Sequence, residues 1–295
     1  MTRVDPLATT TAATVEVLRA GASTTVQDLG RQGWAHLGVP RSGALDPAAL
    51  RLANRLVGNP ESAAGLETTL TGCDLRLDRA GTVAVTGAVA RVRVGDRPAD
   101  VGRPVAVPEG VPVRIGPALR GVRSYVAVAG GVAVDPVLGS RSTDLLSGLG
   151  PAVLRDGDRL PLGSPFGLPA GVDFTVDGVV PTALRLTLTL GPRDDWFTPE
   201  AVHRLLNTPY TVSPDSNRVG VRLTGRALTR AVAGELPSEG LVLGAVQVPA
   251  NGQPLIFLAD HPTTGGYPVI GVVTDVTPLA QARPGTTVTF HGPQR

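Results

Sequence analysis

The chain contains no lysine: all 27 of its basic residues are arginine, set against 25 acids for a net charge of +2. That absence excludes a Walker A lysine, a Schiff-base lysine and a biotinyl-lysine carried on this chain. Cys73 is the only cysteine, which excludes an intramolecular disulfide and a thiolate zinc cluster. The four histidines, His36, His203, His261 and His291, share no ligand-like spacing and read as structural or solvated, so no metal is expected. Aromatics make up only 3% of the residues, leaving the core to valine, leucine and alanine. No run of about 18 apolar residues exists, so no membrane span is expected. The opening M-T-R-V-D-P-L-A-T-T-T-A-A-T lacks the apolar centre of a signal peptide, and a cytoplasmic protein is the expectation. The arginines are scattered among acids, without the clustered basic face of a nucleic-acid binder.

What is present is glycine (37), proline (27) and many short valine-rich runs. A length of 295 residues suits two domains, each able to bury a core. Runs such as Val15 to Arg19, Leu66 to Gly72, Leu75 to Leu77, Val83 to Val85, Val89 to Val94, Val105 to Val107, Val111 to Ile115 and Ser124 to Val128 are punctuated by Gly, Pro and Asp. They read as the strands of a barrel or sandwich. From about Leu184 the alternating L-R-L-T-L-T-L predicts a half-buried strand, and further strands follow at 219–223, 241–248, 255–258, 269–273 and 286–290. Two helices have marked starts: Asp46 then Pro47, and Thr198 then Pro199, each a capping residue followed by proline at the first helical position.

The halves echo one another. Pro47 answers Pro199 at an offset of 152 (199 − 47), and Asn54 answers Asn207 at 153 (207 − 54). Leu70-Thr71-Gly72 answers Leu223-Thr224-Gly225, and Gly87 answers Gly240, both again at 153 (223 − 70, 240 − 87). Upstream, Gly21 answers Gly191 at 170 (191 − 21). Either two β-rich domains arose by duplication, with the linker in the Pro/Gly-rich Leu160 to Thr182, or common residues recur by chance.

Three polar clusters are candidates for chemistry. The first is the glycine-rich loop holding Gln27, Asp28, Arg31, Arg41, Ser42 and Asp46, which is either an ordered site or a connector. In it Arg31 and Arg41 either fork onto a carboxylate or phosphate or pair internally with Asp28 or Asp46. The second is Pro237-Ser238-Glu239-Gly240 followed by Gln247, where Glu239 is a proton-handling group or a surface charge. The third is Asp260-His261-Pro262-Thr263-Thr264-Gly265-Gly266-Tyr267-Pro268, which reads as an anion-binding nest or a plain hairpin turn.

These segments also carry a resemblance. T-V-Q-D-L-G-R-Q-G (25–33), G-V-P-R-S-G-A-L-D (38–46), A-N-R-L-V-G-N (53–59), L-E-T-T-L-T-G (66–72), R-S-Y-V-A-V-A-G-G (123–131), S-E-G (238–240), G-A-V-Q-V-P (244–249) and D-H-P-T-T-G-G-Y-P (260–268) are together similar to one family. It is variously called the 5-oxoprolinase C-type subunit, KipA or allophanate hydrolase subunit 2, and it is similar also to the carboxyltransferase domain of urea carboxylase. The resemblance spans about residues 14 to 292. Where the family carries glutamine before T-T-G-G-Y-P and lysine after it, this chain has Pro262 and Val269.

The resemblance implies a mainly β protein: two tandem cyclophilin-like β-barrel domains, 14–165 and 180–295, with a few short helices. It implies a KipI-like B-type subunit as partner in a heteromer, and an A-type subunit completing the reaction. The implied activity is ATP-dependent opening of the lactam 5-oxoproline to glutamate, with ATP used by the complex. Under it Asp46 and Glu239 are the expected catalytic residues. Gln27, Arg31, Arg41, Asn54, Gln247, Asp260, Thr263, Thr264, Gly265 and Tyr267 are expected to bind the lactam or amide. Two other readings follow from the same resemblance: a biotin-dependent carboxyltransferase whose biotin sits on another chain, and a KipA-like regulator that binds its partner without catalysing.

Overall fold

The computed structural model describes residues 13–169, 171, 181–234 and 236–293. Residues 170 and 172–180 of the expected linker, and the amino-terminal stretch 1–12, lie outside the described residues. The fold is mainly β with two α-helices, and among the described residues no helix is long and apolar enough to cross a membrane.

Nine strands between Thr14 and Pro161 form one antiparallel sheet. Its main path runs Thr24–Gln27, Gly65–Thr69, Pro112–Val128, Asp74–Leu77, Thr14–Arg19 and Arg159–Pro161, while Gly81–Val94 pairs with Pro112–Val128 and carries two short strands on its other side. Alternation sets the inward face: Val15 and Val17 are fully buried, opposite Leu77 and Leu75. The runs 83–85 and 89–94, which read as separate strands, are one strand, and so are 111–115 and 124–128. Bulges bend the long pair between Gly87 and Val92. Gly87 sits there at φ +88°, and a Cβ on it would lie 2.5 Å from the Arg123 carbonyl oxygen, so only glycine fits. Helix α1, Pro47–Leu56, lies on this sheet through Leu50, Ala53 and Leu56. Thr86 Oγ1 donates to the Ala49 carbonyl at 2.7 Å from the sheet side.

The second half closes a seven-stranded barrel in the order Ala183–Leu190, Val269–Val273, Ala245–Gln247, Leu255–Phe257, Gly220–Thr224, Tyr210–Val212, Thr287–His291. The ring shuts through parallel pairing of 183–187 with 287–291, which leaves no free edge along that path. Leu184, Leu186 and Leu188 point inward as the alternation predicts, whereas Leu190 emerges at the barrel end. Helix α2, Pro199–Asn207, is capped by Thr198 and buries Ala201 and Leu205. Beside the barrel mouth, Glu239–Gly240 pairs with Thr264–Gly265 as a separate two-stranded ribbon.

The two halves interlock. Leu45, from the loop before α1, is buried within the apolar cluster of the barrel. In return Gln281, from the 3-10 turn Thr277–Gln281, accepts from the backbone N–H groups of Val122 and Arg123 at 2.9 and 3.0 Å. Its Nε2 donates to the Arg123 carbonyl at 3.0 Å.

Candidate active site

The glycine-rich loop is shaped by its own backbone. Gly30 and Gly43 face each other at φ +85° and +91°; a Cβ on either would come within 3 Å of backbone atoms of the opposing segment. That closeness lets the loop fold back, with Arg31 N–H donating to the Arg41 carbonyl at 2.8 Å. Asp28 is the hub beneath it, accepting from Ser140 Oγ at 2.6 Å, Ser142 Oγ at 2.5 Å, Arg141 N–H at 2.6 Å and Gly30 N–H at 2.8 Å. Arg31, only 2% exposed, donates to Ser42 Oγ at 2.8 Å and to the Ser142 carbonyl at 2.5 Å. Ser42 hands its own hydrogen to Asp144 at 2.6 Å. Gln27 is buried and donates to Thr25 Oγ1 and the Thr143 carbonyl. Gln27 and Arg31 therefore brace the loop from inside, and direct substrate contact, expected of both, is not what this geometry provides.

A second set of side chains joins the two halves. Arg218, in the turn before Gly220–Thr224, donates Nη1 to Glu67 at 2.6 Å, Nε and Nη2 to Asp260 at 2.9 Å each, and Nη2 to the Gly43 carbonyl at 2.7 Å. Glu67 also accepts from Tyr125 Oη at 2.8 Å and Leu45 N–H at 3.0 Å. All four side chains are buried. Burial works to raise the Glu67 carboxyl, but Arg218 and Arg123 outweigh it and hold it below its ordinary value. Burial alone would lower Arg218, yet the carboxylates of Glu67 and Asp260 raise it instead. Asp260, expected to bind substrate, is consumed here as a bidentate partner with no exposed surface. Asn54 is likewise fully buried, donating to the Ala63 carbonyl at 2.8 Å and accepting from Asn59 at 3.1 Å, which ties off the end of α1.

Next to this network the junction opens into a cavity of about 200 Å³. Arg41, Ser42 and Leu45 line it from the loop; His261, Leu243 and Asp275 line it from the barrel half. Ser42 N–H donates to the Ala259 carbonyl at 3.0 Å and pins the two walls together. Arg41 is exposed, and its guanidinium has no hydrogen-bond or ion-pair partner among the described residues. His261 is 7% exposed. Its Nδ1 lies 2.7 Å from the Pro262 carbonyl oxygen, and its ring tilts against Phe257. Burial pushes the imidazole below its ordinary value, opposed by that carbonyl and by Asp260. A free guanidinium beside a neutral imidazole suits a small ligand carrying an anionic group and a polar second group.

Most of the remaining expected residues gather around the ribbon of Glu239–Gly240 and Thr264–Gly265. Glu239 is taken by Arg193, which donates Nε to both carboxylate oxygens at 3.0 and 3.1 Å and Nη2 to Oε1. That bonding holds Glu239 below the usual carboxylate value, so at neutral pH it is an ionised acceptor and a poor proton donor. Gln247 donates to the Tyr267 carbonyl at 3.0 Å, and the half-exposed Tyr267 ring lies under Arg230. Thr264 and Gly265 are strand residues of the two-stranded ribbon, and neither Gly265 nor Gly266 has positive φ. The nest expected there is thus replaced by paired extended backbone. Thr263 accepts from Leu241 N–H through its carbonyl at 2.8 Å. Asp46 caps α1, accepting from Ala49 N–H at 3.0 Å, and Gln281 Nε2 reaches its other oxygen at 3.3 Å.

Of the expected residues, the structure places Arg41 alone on the cavity without a partner. It gathers Glu239, Gln247, Thr264, Gly265 and Tyr267 in a separate cluster, and it puts Gln27, Arg31, Asn54 and Asp260 in the framework. Three residues that matter here carry little signal in the sequence. Arg218 and Glu67 are 151 positions apart, and no local pattern connects them. His261 reads in sequence as a lone histidine; its one local signal is Pro262, whose carbonyl engages Nδ1.

Comparison with known proteins places the geometry in a lineage. The pattern of the family described as carboxyltransferase domain, subdomain A and B, matches residues 37–292. The chain is 40% identical to the C subunit of 5-oxoprolinase from Escherichia coli over 283 residues, covering 94% of this chain and 90% of that relative. It is 34% identical over 305 residues to urea amidolyase of Lachancea kluyveri, covering 93% of this chain but 17% of that protein. Among solved structures, TTHA0988 superposes with a TM-score of 0.86 at 38% identity, covering 95% of this chain. Urea amidolyase of K. lactis superposes with a TM-score of 0.86 at 30% identity, again covering 95%. The chain spans 56% of the TTHA0988 chain and 18% of the K. lactis chain.

Proposed function

The chain belongs to the carboxyltransferase-domain family, subdomains A and B, and from that premise we propose that it is the C-type subunit of a heteromeric, ATP-dependent 5-oxoprolinase. In this reading it works in the cytoplasm with a KipI-like B-type subunit and an A-type subunit, and opens the lactam 5-oxoproline to glutamate. The observation that carries the reading is the 40% identity to a 5-oxoprolinase C subunit across nearly the full length of both chains. The domain boundaries 14–165 and 180–295 belong to the same proposal, with the lactam site at their junction.

The cavity supports it chemically. 5-Oxoproline is a small ring bearing one carboxylate and one amide. Arg41 is the anion anchor, forking onto the carboxylate in a site where no acid is paired with it. The loop braced by Asp28, Arg31 and Asp144 holds that anchor in place, which limits the ordering cost on binding. Glu239, Gln247 and Tyr267, which do not line this cavity, stay in the proposal as residues that bind or handle protons elsewhere in the assembled site. ATP, used by the complex, supplies the leaving group that amide activation needs; no residue of this chain is assigned to it.

Carboxyl transfer to an amide is the second reading, favoured by the 34% identity to a urea amidolyase. With no lysine in this chain, biotin would arrive on another one. A non-catalytic KipA-like regulator is the third, favoured by the engagement of Asp46 in a helix cap and of Glu239 by Arg193. The test is co-expression with the B-type subunit, followed by 5-oxoproline-dependent ATP hydrolysis with and without the A-type one. Turnover that needs every chain is the expected result; a stable complex without 5-oxoproline-stimulated hydrolysis overturns the reading.

A further inference from the structure

We infer that His261 is the residue that recognises the amide N–H of the ligand, accepting it on Nε2 while Arg41 holds the carboxylate. This rests on the reading of the cavity as a lactam site. The Pro262 carbonyl has lone pairs and no hydrogen. A nitrogen 2.7 Å from it must itself carry the hydrogen, so Nδ1 is the N–H of the ring. A neutral imidazole protonated at Nδ1 has a bare lone pair at Nε2.

Three observations make that lone pair available to a ligand. His261 lines the cavity. It is more than nine-tenths buried, so bulk water has little access to it. Its Nε2 has no hydrogen-bond partner among the described residues, yet it is not among the side-chain atoms sealed from solvent without one. The open space that the residue borders is the cavity. An acceptor there discriminates sharply, because a ligand without an N–H leaves it desolvated and unpaired.

The charged and titratable groups around the ring fit a neutral state. Asp260, which precedes it, is locked onto Arg218, and Asp144 is held by Ser42 and by the N–H groups of Leu146 and Ser147. Across the cavity stand the cation Arg41 and, at the rim, Asp275, which accepts from Thr277 N–H at 2.9 Å. Burial disfavours an imidazolium there.

The role separates 5-oxoproline from its oxygen isostere, the five-membered lactone carboxylate in which ring oxygen replaces N–H. Arg41 serves both molecules equally, while His261 Nε2 meets a donor in one and a lone pair in the other. The experiment is calorimetric titration of the co-expressed complex with each compound. Wild type should bind the lactam at least about tenfold more tightly than the lactone. His261→Leu should erase the difference, and His261→Gln, whose amide oxygen accepts, should restore part of it. Equal binding by wild type, or undiminished discrimination in His261→Leu, overturns the inference while leaving the lactam site standing. Failure of every form to bind 5-oxoproline overturns both. A ligand-free check is ¹⁵N NMR of the full chain at neutral pH, with the ring assigned by the His261→Gln spectrum. The Nδ1–H tautomer is expected; an Nε2–H tautomer or an imidazolium refutes the inference on its own.

Discussion

The junction between the two halves treats its polar side chains in opposite ways within one short stretch of loop. On one side, Arg218, Glu67, Asp260 and Tyr125 are buried and matched to one another or to backbone. On the other, Arg41 and His261 face a cavity with bonding capacity to spare. Both sides draw on the same two loops: Gly43 serves the network, Leu45 both it and the cavity, and Arg41 the cavity; Asp260 serves the network, His261 the cavity. Both loops contribute to both sides, so the clamp that joins the halves also builds the cavity walls. Residue type does not separate the two roles. Arg31 and Arg41 lie ten positions apart in one glycine-rich loop; one is structural and the other free because only Arg31 points at Ser42 and the Ser142 carbonyl.

If the matched side is a clamp, breaking it should cost stability. Arg218→Met leaves Glu67 and Asp260 buried without their cation, and it is expected to destabilise the chain by about 3–5 kcal/mol in chemical denaturation. A loss under about 1 kcal/mol would mean the halves hold together through Leu45 and its apolar neighbours instead. Acid sharpens the same point. Glu67 is held below the ordinary glutamate value of 4.5, so its contribution is complete above that pH and disappears as pH falls through its lower, folded-state value. The denaturation midpoint should therefore drop steeply below about pH 4.5, and the drop should be shallower in Glu67→Gln.

Asp46 tests whether a residue of the first half is a cap or a catalyst. As a helix cap, Asp46→Ala should cost about 1 kcal/mol, and Asp46→Asn should recover most of that stability. If Asp46 is a cap alone, Asp46→Asn also keeps turnover; were it the proton carrier, the same variant would keep the stability and lose turnover. The smallest effect is expected at Glu239. Its pair with Arg193 is partly open to solvent, so Glu239→Gln should leave the unfolding midpoint unchanged. A lowered midpoint would show the ribbon at the barrel mouth to be part of the clamp.

Local chemistry is readable in the sequence wherever a few adjacent residues decide the outcome. The starts of both helices follow from Asp46-Pro47 and Thr198-Pro199, and the barrel strand 183–190 from the alternation of Leu184, Leu186 and Leu188. Strand lengths are harder, because Thr86-Gly87-Ala88 reads as a break yet is a bulge inside one long strand. The candidate site is legible as loops and not as roles. Burial separates Arg31 from Arg41 and fixes Asp260 on Arg218, and burial depends on contacts between residues far apart in the chain. For His261 the sequence shows a lone histidine; its value lies in which nitrogen the Pro262 carbonyl occupies, a matter of backbone geometry.

If the substrate sits on the open side of the junction, Arg41 is the side chain whose loss it should feel. The measurement is KM for 5-oxoproline in ATP hydrolysis by the assembled complex, comparing wild type with Arg41→Ala and recording the thermal midpoint of each. The account predicts a KM raised about 10- to 100-fold, the value of a charged hydrogen-bonded contact, with the midpoint unchanged because the Arg41 guanidinium has no partner among the described residues. An unchanged KM in a complex of unchanged stability would contradict it and move the substrate away from this cavity.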